Sequence, residues 1–180
     1  MFTLLSTAAS ATLFGLATSA NALTSDHEYL KETDRNSEPQ LKVIDVYRRK
    51  EPTFVQGLYF DQTTRKLVES TGLNGESKTQ WLEIVEPLGF VQPTLAVDMD
   101  VRFFGEGICP LKEGKEFIEL TWKEGIVNIL DWNTLLVKSQ FKIWSGVKEG
   151  WGITLDDQNR ILYVSNGSST ITKVDADTLE

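Results

Sequence analysis

FFGEGICP, residues 103–110, sets one acid between two glycines behind a pair of phenylalanines. Glycine on both sides lets another backbone approach closely, whereas a glutamate serving only solubility would sit among good strand or helix formers. The stretch becomes informative when it is laid over FVQGLYFD (54–61) and KEGWGITLDD (148–157), since each carries a Gly followed by Leu or Ile. Those glycines, Gly57, Gly107 and Gly152, lie 50 and 45 residues apart. Behind each comes a second apolar run (KLVESTG, EFIELTW, ILYVSNG) and then a third (TQWLEIV, IVNILDW, ITKVDAD). The first two units add an outer segment, PTLAVDM and KSQFKIW. These runs are short, rich in Val, Ile, Tyr and Trp, and punctuated by Gly, Asn, Asp or Pro, which predicts strands rather than helices.

Four short strands repeating at this period predict an all-β fold of the β-propeller type, because each small sheet can bury its faces only against its neighbours. A sandwich would match the strand count without repeating the same dipeptide at the same place. Closed propellers have about 4 to 8 blades, and only three units are legible, over residues 41–180. LKVIDVYRR (41–49), ahead of the first unit, is expected to be an outer strand that completes the last blade and locks the ring. The expectation is therefore a chain cut short by roughly two blades.

The first 22 residues hold no charged side chain and run from LFGLA into ATSANA, a signal-peptide pattern with a cleavage point after Ala22, although the usual basic start is missing. A short membrane anchor is the competing reading, but the apolar part is short and broken by Ser and Thr, so no lasting membrane insertion is expected. Residues 23–40 are polar and aperiodic and read as a flexible leader. A hydrophobic fraction of 41% supports an ordinary core, and a net charge of −8 argues against nucleic acid as a partner. Cys109 is the one cysteine and His27 the one histidine, so no intrachain disulfide and no zinc cluster is expected. Asp98 with Asp100, and Asp156 with Asp157, are acid pairs of the kind that is usually only solvated. Asn166 heads a glycosylation sequon that an Asn-Gly turn explains equally well.

The first strand of a propeller blade lines the central channel. Aligning the glycines puts Gln56, Glu106 and Trp151 at one equivalent position, aimed at the same mouth. An amide, an acid and an indole there combine hydrogen bonding, proton transfer and a flat apolar wall. The bland readings stay open: Glu106 as a solvated channel acid, Trp122 and Trp151 as packing between blades, Phe54 and Phe104 as core, and Glu69 as a hydrogen-bonding link between blades.

The series FVQGL, ESTGLNGES, FFGEG, LTWKEG and GWG, in this order and spacing, resembles the plant-type glutaminyl-peptide cyclotransferases (glutaminyl cyclases), a family of five-bladed propellers also found in bacteria. The resemblance covers residues 41–180, about three blades of that fold. It implies conversion of the N-terminal glutamine of peptides or proteins into pyroglutamate with release of ammonia. It also fits an enzyme that needs no cofactor, unlike the zinc-dependent animal enzymes, while the signal pattern predicts the secretory pathway or the extracellular space and a monomer is expected. By resemblance the catalytic acid/base falls on Glu106, and the substrate-binding residues on Phe54, Gln56, Phe104, Trp122 and Trp151. The family usually has Thr at the place of Val55 and Tyr at the place of Asn74, neither of which is among those residues. Its C-terminal part, which supplies another Trp, an Asn and a Lys, is not in this sequence, so a chain of this length is expected to be weakly folded and inactive. Two other readings stand beside the enzyme: a propeller that binds peptides without changing them, and a degenerate gene product.

Overall fold

The computed structural model describes residues 42–86 and 88–180. The segments expected as signal peptide (1–22) and leader (23–40), with His27, lie outside the described residues. Residues 42–46 carry no regular structure, and every strand falls in the unit Tyr47–Glu180. The described residues are all-β, with no helix.

Three antiparallel sheets follow one another along the chain. The first holds β2 (Val55–Asp61), β3 (Lys66–Thr71), β4 (Lys78–Val85) and β5 (Phe90–Asp98), and the short β1 (Arg48–Arg49) is added in parallel to the edge of β5. The second is β6 (Gly105–Lys112), β7 (Glu116–Thr121), β8 (Ile126–Asp131) and β9 (Val137–Lys142). The third, within the described residues, is β10 (Ile153–Asp156), β11 (Ile161–Ser165) and β12 (Ile171–Asp175). In each sheet the Gly-Leu/Ile segment is an edge strand and the later runs pair outward from it, which gives the propeller-like arrangement anticipated from the repeat.

Apolar residues appear on consecutive positions because both faces of the middle sheet are covered. Phe117 on β7 faces the first sheet, in a cluster with Val68, Trp81, Ile108, Leu130 and Trp132. Its neighbours Ile118 and Leu120 face the third sheet, with Val127, Ile129, Leu162, Val164 and Val174. The first cluster is aromatic: the Phe117 and Trp132 rings stack 4.2 Å apart, and Trp81 meets both edge-on. Replacing the fully buried Phe117 by Ala is expected to cost about 3–5 kcal/mol.

Three of the hairpins, and the turn that follows β12, share one device. Asp61, Asp131, Asp156 and Asp175 each accept a backbone N–H from two or three residues ahead, at 2.8–3.1 Å. The residue four after each Asp, namely Arg65, Leu135, Arg160 and Leu179, takes a left-handed conformation with φ between 54° and 61°. The aspartate bonds offset the strain of placing a side-chain-bearing residue there.

The segment expected to lock a ring as an outer strand behaves differently. Only Arg48 and Arg49 are strand, and they pair with Phe90 and Val91 of the first sheet. Two contacts explain the placement. Arg48 N donates to Gly89 O at 2.9 Å, and the Arg49 guanidinium grips both oxygens of the buried Glu69 at 2.5 and 2.7 Å. The entering chain thus supplies a cation to a buried carboxylate that also accepts from Thr53 Oγ1 at 3.1 Å and Gln80 Nε2 at 2.5 Å.

Candidate active site

The edge strands β2 and β6 and the segment entering β10 approach backbone to backbone, and their glycines make this possible. A Cβ on Gly57 would lie 2.6 Å from Ile108 N, and one on Gly107 would lie 2.7 Å from Trp151 O. The contact at Gly107 is a hydrogen bond between sheets, Gly107 N to Trp151 O at 2.8 Å. Gly105 has the same constraint, its missing Cβ falling 2.5 Å from Thr71 O. The glycines beside Glu106 thus bring neighbouring sheets together, and the acid is carried inward by them.

A local irregularity aims the side chains. Gln56 sits where the β2–β3 register slips between Val55 and Gly57, and Glu106 where the β6–β7 register slips between Gly105 and Ile108. At the third place Trp151 N donates to Ser165 O while Ser165 N donates to Gly152 O, so two residues face one. Extra residues of this kind turn a side chain out of the regular alternation and are common beside active sites. All three residues sharing the position line one cavity.

That cavity, about 510 Å³, is walled by Phe54, Gln56, Phe104, Glu106, Trp122, Trp151, Gly152 and Ser165. All six residues singled out from the sequence meet there, and Gly152 and Ser165 are additions. Phe104 packs over Gly72, whose missing Cβ leaves room for its ring, and it contacts Phe54 at 6.4 Å and Trp122 at 5.4 Å between centroids. Lys123 Nζ stands 3.8 Å over the Trp122 ring. Trp151 lies against Gly167, and Ser165 Oγ accepts from Gly152 N at 2.8 Å.

Glu106 is 8% exposed and accepts one hydrogen bond from a side chain, Gln56 Nε2 to its Oε1 at 3.0 Å. Burial pushes its carboxyl from the ordinary 4.5 up to about 7, against the opposing effect of the Gln56 bond and with smaller help from the charges of Glu149 and Glu124. At neutral pH both its protonated and ionised forms are populated. A group so poised can take a proton and return it.

Three residues of the surroundings escape a reading of the sequence by motif. Glu149 Oε2 accepts from the indole N–H of Trp122 at 2.8 Å and of Trp151 at 3.1 Å. Those bonds, Trp151 first, hold its carboxyl below the usual range. Glu124 Oε2 accepts from Phe104 N at 3.3 Å. A signal for the acids, and for Lys123, was present: Lys-Glu-Gly occurs at 112–114, 123–125 and 148–150, and the last two copies each lie beside a site tryptophan. Among the other acids singled out, Asp100 pairs with Arg102, and Asp157 with Arg160. Among the described residues no three His, Cys, Asp or Glu side chains gather as a metal site. Asn166 leads a turn in which its Oδ1 accepts from Ser168 Oγ at 2.6 Å and Gly167 takes φ 73°.

The fold compares with solved structures on both sides of this geometry. Glutaminyl cyclase of Myxococcus xanthus superposes with a TM-score of 0.56 at 26% identity, over 71% of this chain and 48% of that one. The chain thus spans about half the length of that protein. A Bacteroides uniformis protein provisionally assigned as a 6-phosphogluconolactonase superposes with a TM-score of 0.51 at 12% identity, over 66% of this chain and 35% of that one, and shares the fold alone. No curated protein matches the chain. The family model for glutamine cyclotransferase matches residues 11–180, nearly the whole sequence, and on that ground the chain belongs to the glutamine cyclotransferase family.

Proposed function

We propose that the cavity converts an N-terminal glutamine of a peptide or protein into pyroglutamate, releasing ammonia, with Glu106 as the single acid/base. The observation that carries this reading is the buried Glu106, held by Gln56 in an aromatic cavity, with a proton affinity close to neutrality. A free α-amine has a pKa of about 7.7–8.0. Proton transfer between it and Glu106 is nearly balanced, the condition under which general acid/base catalysis works best.

The steps balance with one proton relay. The substrate's α-nitrogen attacks the γ-carboxamide carbon, forming the ring N–C bond. Glu106 takes the proton this nitrogen sheds. The tetrahedral intermediate then collapses, the bond from carbon to the former amide nitrogen breaks, and Glu106 returns the proton so that nitrogen departs as ammonia. The reaction is intramolecular, so the protein's remaining task is to hold the side chain folded back on its own amine. Phe54, Phe104, Trp122 and Trp151 supply walls for that compact shape and keep competing water away. Gln56 donates to Glu106 Oε1, which fixes the carboxylate and leaves Oε2 for the proton.

From the uncharged apolar start and the Ala20-x-Ala22 pattern we further infer that residues 1–22 are a cleaved signal and the protein is secretory. N-terminal sequencing of the mature protein is expected to begin at Leu23, and an uncleaved Met1 would refute that part.

The test is incubation of the full-length native protein, with whatever sequence follows Glu180, with a glutamine-initiated dipeptide, reading ammonia and the loss of one NH₃ by mass. Turnover that disappears in Glu106→Gln supports the proposal. A folded native protein that binds the dipeptide and leaves it intact would make this a peptide-binding propeller instead.

A further inference from the structure

We propose that Glu149 is a positioning residue for this cavity: one carboxylate oxygen ties the indoles of Trp122 and Trp151, carried by neighbouring sheets, into a single wall. The inference rests on the reading of the cavity as the site of cyclisation, and it adds a residue that reading does not use.

The geometry is specific. Trp122 directly follows β7 of the second sheet, and Trp151 lies just ahead of β10 of the third. An indole N–H can only donate, and one facing an apolar cavity without an acceptor is costly. Glu149 Oε2 serves both, at 2.8 and 3.1 Å. Its own backbone is anchored through its neighbour: Gly150 N donates to Trp122 O at 3.0 Å, and a Cβ on Gly150 would lie 2.6 Å from Thr121 O. These contacts fix the backbone of Glu149 beside Trp122.

Each ring also has a support behind it, Phe104 and Lys123 for Trp122 and the Gly167 backbone for Trp151. Support from one side leaves an aromatic ring free to swing about its side-chain torsions. Trp151 is 44% exposed, so the bond to Glu149 is what keeps it against the cavity. The charges that bear on this arrangement are Lys123, which favours the ionised Glu149, and Glu106 and Glu124, the neighbouring acids. The charge of Glu149 in turn opposes ionisation of Glu106. Glu149 thus acts on shape through its bonds and on proton affinity through its charge, and the two effects separate under substitution.

The test uses two variants. Glu149→Ala removes acceptor and charge, while Glu149→Gln keeps an acceptor oxygen and removes only the charge. In the wild type, the indole N–H resonances of Trp122 and Trp151 are expected to titrate together in ¹H–¹⁵N spectra, with one midpoint below the ordinary carboxyl range. The indoles of Trp81 and Trp144, which donate to the carbonyls of Trp132 and Leu179, are internal controls. Glu149→Ala should move the first pair and leave the controls in place, and Glu149→Gln, neutral but still an acceptor, should bring the pair close to the positions the wild type reaches at the acid end of its titration. In the native protein, Glu149→Ala should lower kcat/KM for a glutamine dipeptide about tenfold to a hundredfold, chiefly through KM. Glu149→Gln should restore KM and shift the acid limb of the rate to lower pH, because a negative charge near Glu106 is gone. Unmoved Trp122 and Trp151 resonances in Glu149→Ala, or a Glu149→Gln pair that matches Glu149→Ala rather than the acid-titrated wild type, would overturn the inference. If the indoles respond as expected but the wild type turns over no dipeptide, the cyclase reading fails and the tie between the indoles stands.

Discussion

Glu106 and Glu119 sit on adjacent strands of one sheet, both withdrawn from solvent at 8% and 1% exposure, and burial raises the proton affinity of both. Their surroundings differ. Glu119 is met by Thr79 Oγ1 of the first sheet at 2.5 Å and by Asn128 Nδ2 at 3.1 Å, and Asn128 is held in turn by Gln140 at 2.8 Å. Glu106 has one side-chain partner, Gln56, and opens on a cavity of about 510 Å³, against about 110 Å³ for the space Glu119 borders. Only the larger is of a size for a peptide terminus. A perturbed carboxyl therefore marks chemistry only where something can reach it, and otherwise it stitches sheets together.

The comparison breaks most visibly in rate. Glu106→Gln is expected to lower turnover by about a thousandfold with an unchanged near-ultraviolet circular dichroism spectrum. Glu119→Ala is expected to leave the kcat of the folded fraction alone and to reduce stability by about 2–4 kcal/mol in denaturant titration, from lost bonds and an unfilled cavity. A large rate loss in Glu119→Ala with stability intact would reverse the assignment of the two acids.

A subtler effect sharpens the contrast. The folded state holds the Glu106 proton to about 7, whereas an unfolded carboxyl releases it near 4.5. The stabilising effect of that proton is complete below the unfolded value and is lost as pH rises through the folded one. Glu106→Gln, neutral throughout, should therefore melt about 2–4 °C above wild type at pH 8 and together with it at pH 4. Calorimetry at the two pH values checks this, and a variant that melts lower at pH 8 would mean that the buried charge is stabilised by the site.

Much of the site was legible because a propeller-like repeat converts position in the unit into position in space. Once Gly57, Gly107 and Gly152 align, Gln56, Glu106 and Trp151 must share a mouth, and the family resemblance brings in Phe54, Phe104 and Trp122. The register slips that turn those side chains inward leave no mark in composition, and only the pairing of strands reveals them. The tie from Glu149 was hidden because a charged residue in a Lys-Glu-Gly loop looks like any solvated turn. The Asp-based hairpins were readable in principle, with Thr or Asn three residues after each Asp, but the left-handed Arg or Leu that follows runs against local preference. The pairing of Arg48 and Arg49 with the first sheet was not legible because it depends on a buried partner, Glu69, distant in the sequence.

The most direct measurement places the titration of Glu106 beside the pH dependence of catalysis. A carboxyl ¹³C label on glutamate, with the Glu106 signal assigned by its loss in Glu106→Gln, gives the first. The pH profile of kcat/KM for a glutamine dipeptide gives the second. Both are expected to turn at about 7, with the rate rising as Glu106 ionises. A Glu106 that titrates in the ordinary range near 4.5, or a rate indifferent to pH through 7, would contradict it.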